Sequence, residues 1–183
     1  MTNTDETIAI FPHAEGSPTI YSGDFNYCAY DADGNLFADA SGPAGLFELP
    51  SGGSAFTQIT LSKAIGGQSI QWDGQNLAII SERAKGSKLP MVLYRLHVSG
   101  TQGTVIGEAV LRGHHDDGTF AHQFWVQGDT IVGPGPTVNN QSSLLNFWRD
   151  PDGKAKKSIQ VTEYPGIGPP AFYGVAVSLA PHR

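Results

Sequence analysis

The sequence is poor in cysteine and in charged residues, and it has no long apolar run. One cysteine, Cys28, is present among 183 residues, so an internal disulfide cannot form. Charged residues make up 15 %, against about a quarter in an average soluble domain. No segment approaches the roughly 18 apolar residues of a membrane-spanning helix. We therefore expect neither a disulfide scaffold nor a membrane protein, and we expect Cys28 to be a buried small hydrophobe.

Positive charge is also scarce. Eleven Lys and Arg residues stand against 17 Asp and Glu, which gives a net charge of −6. Nucleic-acid affinity comes mainly from basic side chains at phosphates, so we expect no nucleic-acid partner. The short basic run at 154–157 fits a solvated edge or turn. The first six residues are acidic and polar, unlike a signal peptide, and favour a cytoplasmic location.

What is abundant is glycine and proline. The 23 Gly and 12 Pro are spread along the chain, as many short strands joined by tight turns require. Apolar stretches flank turn residues at 27–39, 69–80 and 123–132, and a single further strand lies at 174–179. The Asp33-Gly34 pair inside the first stretch is a strong hairpin signal. No segment has a convincing helical period, so the chain is predicted to be all-β.

A second kind of strand pair alternates with these hairpins. It occurs at 7–21, 46–61, 92–111 and 144–161, and 56–61 reads as one strand. With the strands of one unit called a to d, the chain reads c-d, then a-b-c-d three times, then a. The units span roughly 7–22, 24–62, 67–111, 120–161 and 172–179 of a single domain, 1–183. Residues 85–90 and 134–143 are predicted to be loops between strands b and c.

These units resemble the blades of bacterial β-propellers of the NHL and gluconolactonase-like type. The residues that carry the resemblance lie at 29–37, 46–53 and 173–178. The resemblance implies a toroid of four-stranded antiparallel blades, about three to four per chain, with strand a innermost. Lactonases of that type bind a divalent metal in the channel through carboxylates and an Asn, and this sequence lacks the matching Glu and Asp pattern.

Four polar residues occupy equivalent positions at the start of strand a: Asn26, Gln68, His122 and Tyr173. Their neighbours in the strands are apolar. They predict a polar ring at the mouth of the channel, suited to binding a small ligand by hydrogen bonds. Polar residues are also expected at any wet channel mouth, without a ligand.

The connection before the third hairpin is rich in groups that can bind metal: His114, His115, Asp116 and Asp117, followed by His122. Imidazole and carboxylate donors suit a divalent cation, but the spacing matches no established metal motif, which favours a structural or solvated loop. Asp31, Asp33 and Asn35 have part of a calcium-loop spacing but lack its terminal Glu, which favours a turn.

Two functions follow from these features. One is a non-catalytic module that binds a small molecule or a protein, without a cofactor. The other is a metal-dependent hydrolase or lyase that uses the 114–122 loop. The sequence leaves open whether the chain is an enzyme.

Strand counting bears on assembly. The chain begins with strands c-d and ends with a strand a, so both ends leave unpaired edges. A four-bladed monomer, a piece of a larger propeller and a homodimer that exchanges terminal strands all satisfy the count. The homodimer is the arrangement we predict.

Overall fold

Every regular element in the described part of the chain is a β-strand. The computed structural model describes residues 7–11, 15–40, 45–65, 67–81, 91–112, 123–139 and 142–162. Over these ranges the all-β prediction is confirmed. No helix among them has the length and apolar character needed to cross a bilayer.

The first part of the chain forms a hairpin and then a four-stranded antiparallel meander. Strands β1 (Thr7–Ile10) and β2 (Thr19–Ser22) pair in a two-stranded sheet. The meander follows chain order and consists of β3 (Phe25–Tyr30), β4 (Leu36–Ala40), β5 (Leu46–Leu49) and β6 (Thr57–Gln58). These strands correspond to the predicted a, b, c and d of one unit.

The next sheet repeats this plan and adds one strand. Its meander consists of β8 (Gly67–Trp72), β9 (Leu77–Ser81), β10 (Val92–Ser99) and β11 (Gln102–Val110). The short strand β7 (Thr60–Leu61) lies at the outer edge and pairs with β11 in parallel. The sheet order is therefore β7-β11-β10-β9-β8.

A third meander follows in the same order. It consists of β12 (Trp125–Gln127), β13 (Thr130–Asn139), β14 (Ser142–Arg149) and β15 (Ala155–Thr162). All three of its strand pairs are antiparallel. The single strand predicted at 174–179 lies outside the described residues.

One predicted strand is divided between two sheets. The stretch 56–61 was expected to be a single strand d, but Thr57–Gln58 pairs with β5 and Thr60–Leu61 pairs with β11. Ile59 lies between them with 3 % of its surface exposed. The backbone passes from one sheet to the next at this buried residue, and Thr60 N then donates to Thr101 O at 2.8 Å.

The loop predicted at 134–143 is wrong. Residues 134–139 continue β13, and 142–143 begin β14. Proline is tolerated there because the described pairing of β12 with β13 ends at Trp125↔Val132, so the rest of β13 has a partner on one side. The register shifts beyond Pro134 mark bulges that absorb the irregularity. The loop predicted at 85–90 lies outside the described residues.

The chain divides into two compact units, one of Met1–Ser81 with Tyr94–Glu108, the other of Glu82–Leu93 with Ala109–Arg183. In the first unit β4 separates two apolar clusters, because successive side chains of a strand point to opposite faces. Leu36 and Ala38 pack with Ile8 on one side, and Phe37 packs with Ile70 on the other. Strand β8 packs against β3 and β4. In the second unit Phe124, Ile131 and Trp148 are buried.

Candidate functional site

The structure places two of the predicted ring residues at equivalent irregularities of strand a. In β3, Phe25 pairs with Ala40 and Tyr27 with Asp39, which leaves Asn26 as an extra, bulged residue. In β8, Gly67 pairs with Ser81 and Ser69 with Ile80, which leaves Gln68 in the same position. Bulges are enriched beside functional sites because they re-aim a side chain.

Asp39 fixes the first bulge from the neighbouring strand. Its Oδ1 atom accepts a hydrogen bond of 2.6 Å from the backbone N–H of Tyr27, directly after Asn26. The residue is only 2 % exposed, and its Oδ2 atom has no hydrogen-bond partner among the described residues. Burial raises the pKa of Asp39 from 3.8 to about 6, although the Tyr27 hydrogen bond opposes the shift. A titratable group therefore lies buried beside Asn26.

The other predicted site residues cannot be placed. His114, His115, Asp116, Asp117, His122 and Tyr173 all lie outside the described residues. Within the described ranges, no group of three or more His, Cys, Asp or Glu side chains is arranged to hold a metal ion. Cys28 is half-buried, and burial is the main cause that raises the pKa of its thiol.

A cleft of about 260 Å³ lies in the first unit, where the hairpin turns of its two meanders come together. We call it the hairpin-end cleft. Its polar lining comes from two a-b turns, β5 and β10: Asp31, Asp33, Asn35, Glu48, Gln75 and His97. Its apolar lining is Phe37, Trp72, Leu96 and Val98. Asp31 follows β3 at the end opposite to Asn26, so the cleft is separate from the bulges.

The β3-β4 turn is built by its own side chains. The Oδ1 atom of Asp31 accepts hydrogen bonds from Asp33 N at 2.9 Å and Asn35 N at 2.8 Å. Its Oδ2 atom accepts one from Asn35 Nδ2 at 2.8 Å. Gly34 adopts φ +83°, a left-handed conformation that favours glycine. This confirms the turn predicted for Asp31, Asp33 and Asn35.

The β8-β9 turn follows the same design. The Oδ1 atom of Asp73 accepts hydrogen bonds from Gln75 N at 2.9 Å and Asn76 N at 2.7 Å. Its Oδ2 atom pairs with Arg95 Nε at 2.8 Å, and these two side chains are 9 % and 14 % exposed. Both turn aspartates are thus occupied within the fold.

Glu48 and Asp33 are not occupied in this way. Neither carboxylate has a hydrogen-bond or ion-pair partner among the described residues. Glu48 is half-buried, and its pKa is raised first by burial and then by the nearby Asp31 charge. The cleft therefore presents carboxylate oxygens that are free to accept hydrogen bonds from a ligand.

Sequence reasoning missed this cleft. Trp72 is half-buried at the end of β8, where it packs against the apolar cluster of Phe37 and Ile70 and also lines the cleft. Glu48 lies on β5 and His97 on β10, the third strands of two successive meanders, and no local spacing connects them. The available signal was the polar character of these two residues at strand positions next to buried ones.

Comparisons with known proteins do not add to this description. No protein-family model matches the chain. No curated protein matches it either.

Proposed function

We propose that this chain is a ligand- or partner-binding module of the β-propeller type, which resembles NHL and gluconolactonase-like blades and acts without catalysis. The observation that carries the proposal is the repetition of one supersecondary plan. Three successive meanders have the same strand order, and every described a-b and c-d turn contains a glycine with positive φ: Gly16, Gly34, Gly52, Gly74, Gly100, Gly128 and Gly153. Repeated four-stranded units of this kind are the building blocks of propellers.

The chemistry of the bulged residues favours binding. Asn26 and Gln68 carry amides, which both donate and accept hydrogen bonds but neither titrate nor attack a substrate. In a propeller, strand a lines the channel, so the two amides, with His122 and Tyr173, would surround its mouth. A ring of this composition suits recognition of a small polar molecule.

A thermal-shift screen of small polar metabolites tests the binding function. A ligand of the mouth should raise the midpoint of unfolding, because binding to the folded state stabilises it. The shift should be lost in the double variant Asn26→Ala/Gln68→Ala and kept in Gln102→Ala, which removes an exposed amide from β11. A hit that is unaffected by the double variant would place its binding elsewhere.

Metal content separates binding from the metal-dependent alternative. The purified protein should contain no stoichiometric divalent metal and should gain no thermal stability from Zn²⁺, Mn²⁺ or Ca²⁺. A stoichiometric metal that is lost in His114→Ala and His115→Ala, together with hydrolysis of a simple lactone, would instead support the hydrolase.

We further propose that the chain assembles as a homodimer through its terminal strands. In the described residues β1 and β2 form a two-stranded sheet, which corresponds to the predicted strands c and d. In the proposed dimer, the strand a predicted at 174–179 of one copy joins the strands c and d of the other. Light scattering should give about twice the chain mass of 19.4 kDa. Deletion of 172–183 should abolish the dimer, and a monomer before deletion would overturn the proposal.

A further inference from the structure

The hairpin-end cleft takes no part in the function proposed above. All the described residues that line it belong to one compact unit, so the cleft does not require that the chain closes into a propeller. At about 260 Å³ it has room for a small molecule or for one side chain.

The polar groups of the cleft are dominated by hydrogen-bond acceptors. The carboxylates of Asp33 and Glu48 are unpartnered among the described residues, and an ionised carboxylate accepts but cannot donate. Asp31 lies close enough to Glu48 to raise its pKa by repulsion. A ligand that fits this lining must therefore supply hydrogen-bond donors, and a positive charge on the ligand would strengthen its binding.

Among the described residues that line the cleft there is neither Lys nor Arg, so none of them supplies a permanent positive charge. Arg95, which is half-buried, is paired with Asp73 and is not among the described residues of the lining. The carboxylates of Asp31, Asp33 and Glu48 thus have no Lys or Arg beside them among the described residues of the lining.

The apolar side of the cleft is also suited to a cation. Trp72 is half-buried, and an indole ring attracts ammonium and guanidinium groups through its π face. Phe37 and Leu96 form the buried floor of this side, and the half-buried Val98 provides surface for a short alkyl chain. Carboxylates beside an indole form a site for an organic cation with an apolar stem.

We propose that the hairpin-end cleft binds a small organic cation with a guanidinium or primary ammonium group, held by Glu48 and Asp33 and packed against Trp72. A divalent metal fits the same residues less well. It would need a third carboxylate, and both oxygens of Asp31 already accept hydrogen bonds within its own turn. A neutral polyol would leave the charge of the two carboxylates uncompensated.

The test uses the full chain and tryptophan fluorescence at constant ionic strength. The probes are n-butylguanidinium chloride and n-butylammonium chloride, and n-butylurea is the uncharged probe of the same shape as the first. We expect a saturable change with at least one cation and at least tenfold weaker binding of n-butylurea. The signal should disappear in Trp72→Phe, because the other two tryptophans of the chain lie outside the cleft.

Two variants test the carboxylates without changing side-chain shape. Glu48→Gln should weaken cation binding about tenfold, since it removes a charge-assisted hydrogen bond, and Asp33→Asn about threefold because Asp33 is exposed. Glu15→Gln, which removes an exposed carboxylate away from the cleft, should leave binding unchanged. Far-UV circular dichroism establishes whether each variant is folded. If Glu48→Gln does not fold, Asp33→Asn alone tests the role of the carboxylates.

Three results would overturn the proposal: equal binding of n-butylurea, undiminished binding in the folded carboxylate variants, or a fluorescence response to CaCl₂ with none to either cation. The Asn26→Ala/Gln68→Ala variant examines the channel mouth separately. A negative result for the hairpin-end cleft therefore does not contradict the binding function proposed above, and a negative result for the channel mouth does not contradict cation binding at the cleft.

Discussion

The meanders β3–β6 and β8–β11 share a backbone plan, but their side chains stabilise it differently. Each begins with a bulged amide residue, Asn26 or Gln68. Opposite the first bulge stands the buried carboxyl of Asp39, and opposite the second stands the apolar Ile80. The equivalent turns differ too, since Asp31 binds an amide of its own turn and Asp73 binds Arg95 from another strand. A repeated backbone therefore fixes where groups lie and leaves their chemistry to vary.

The largest expected effect concerns the c-d turns, which all contain a positive-φ glycine. A Cβ on Gly153 would overlap the backbone carbonyl of Val110, whereas a Cβ on Gly52 would meet nothing within 4 Å. Gly153→Ala should therefore lower the free energy of unfolding by more than about 4 kcal/mol, and Gly52→Ala by about 1 kcal/mol, the cost of the left-handed conformation. Chemical denaturation measures both. Equal losses would mean that the turns are equivalent in packing as well as in backbone.

The next effect compares the two a-b turns. Arg95→Met should cost about 3 to 4 kcal/mol, because it leaves the Asp73 carboxylate buried without its ion pair. Asn35→Ala removes a partly exposed amide that bonds to Asp31 and to Ser51 N, and it should cost about 1 kcal/mol. Urea unfolding of the two variants gives the difference, and a larger loss for Asn35→Ala would contradict this comparison.

The residues opposite the two bulges should differ in how their contribution to the free energy of unfolding depends on pH. The folded-state pKa of Asp39 is about 6, above its ordinary 3.8, so the folded chain holds this proton more tightly than the unfolded chain does. Its contribution to stability is complete below pH 4 and is lost as the pH rises through 6. The loss amounts to at most about 3 kcal/mol.

Asp39→Asn keeps an acceptor for Tyr27 N and cannot ionise. Its free energy of unfolding should therefore rise relative to the parent between pH 4 and 7. Ile80→Val, at the equivalent position of the second meander, should run parallel to the parent over the same range. Parallel curves for Asp39→Asn would show that Asp39 titrates normally in the folded state.

The sequence predicted the strands well where turn residues separate apolar alternation. The hairpin around Asp33-Gly34 and the pairs near Gly52 and Gly100 were found because positive-φ turns restrict the residue choice. The division at Ile59 and the continuation of β13 through Pro134 were missed. Both depend on which sheet lies beside the chain, and local pattern does not carry that information.

The candidate site residues, too, were predicted only where the local sequence carries the signal. Alignment of the strand starts found Asn26 and Gln68, and the structure adds that both are bulged. Nothing in the sequence pointed to Asp39 as the residue that fixes a bulge, because an Asp at that position also fits an exposed turn. The grouping of Glu48, Trp72 and His97 depends on the packing of two meanders, so it could not be derived from spacing.

The segment 57–61 affects which pieces of such a chain a gene duplication or recombination can copy intact. Because Thr57–Gln58 completes one sheet and Thr60–Leu61 borders the next, the repeat boundary falls inside a continuous piece of backbone. A gene duplication that copied residues 25–58 alone would copy the β3–β6 meander without β7, the short strand that pairs with β11 of the next sheet. Recombination outside residues 57–61 keeps the two short strands together, so the unit that is exchanged in evolution need not coincide with the unit seen as a sheet.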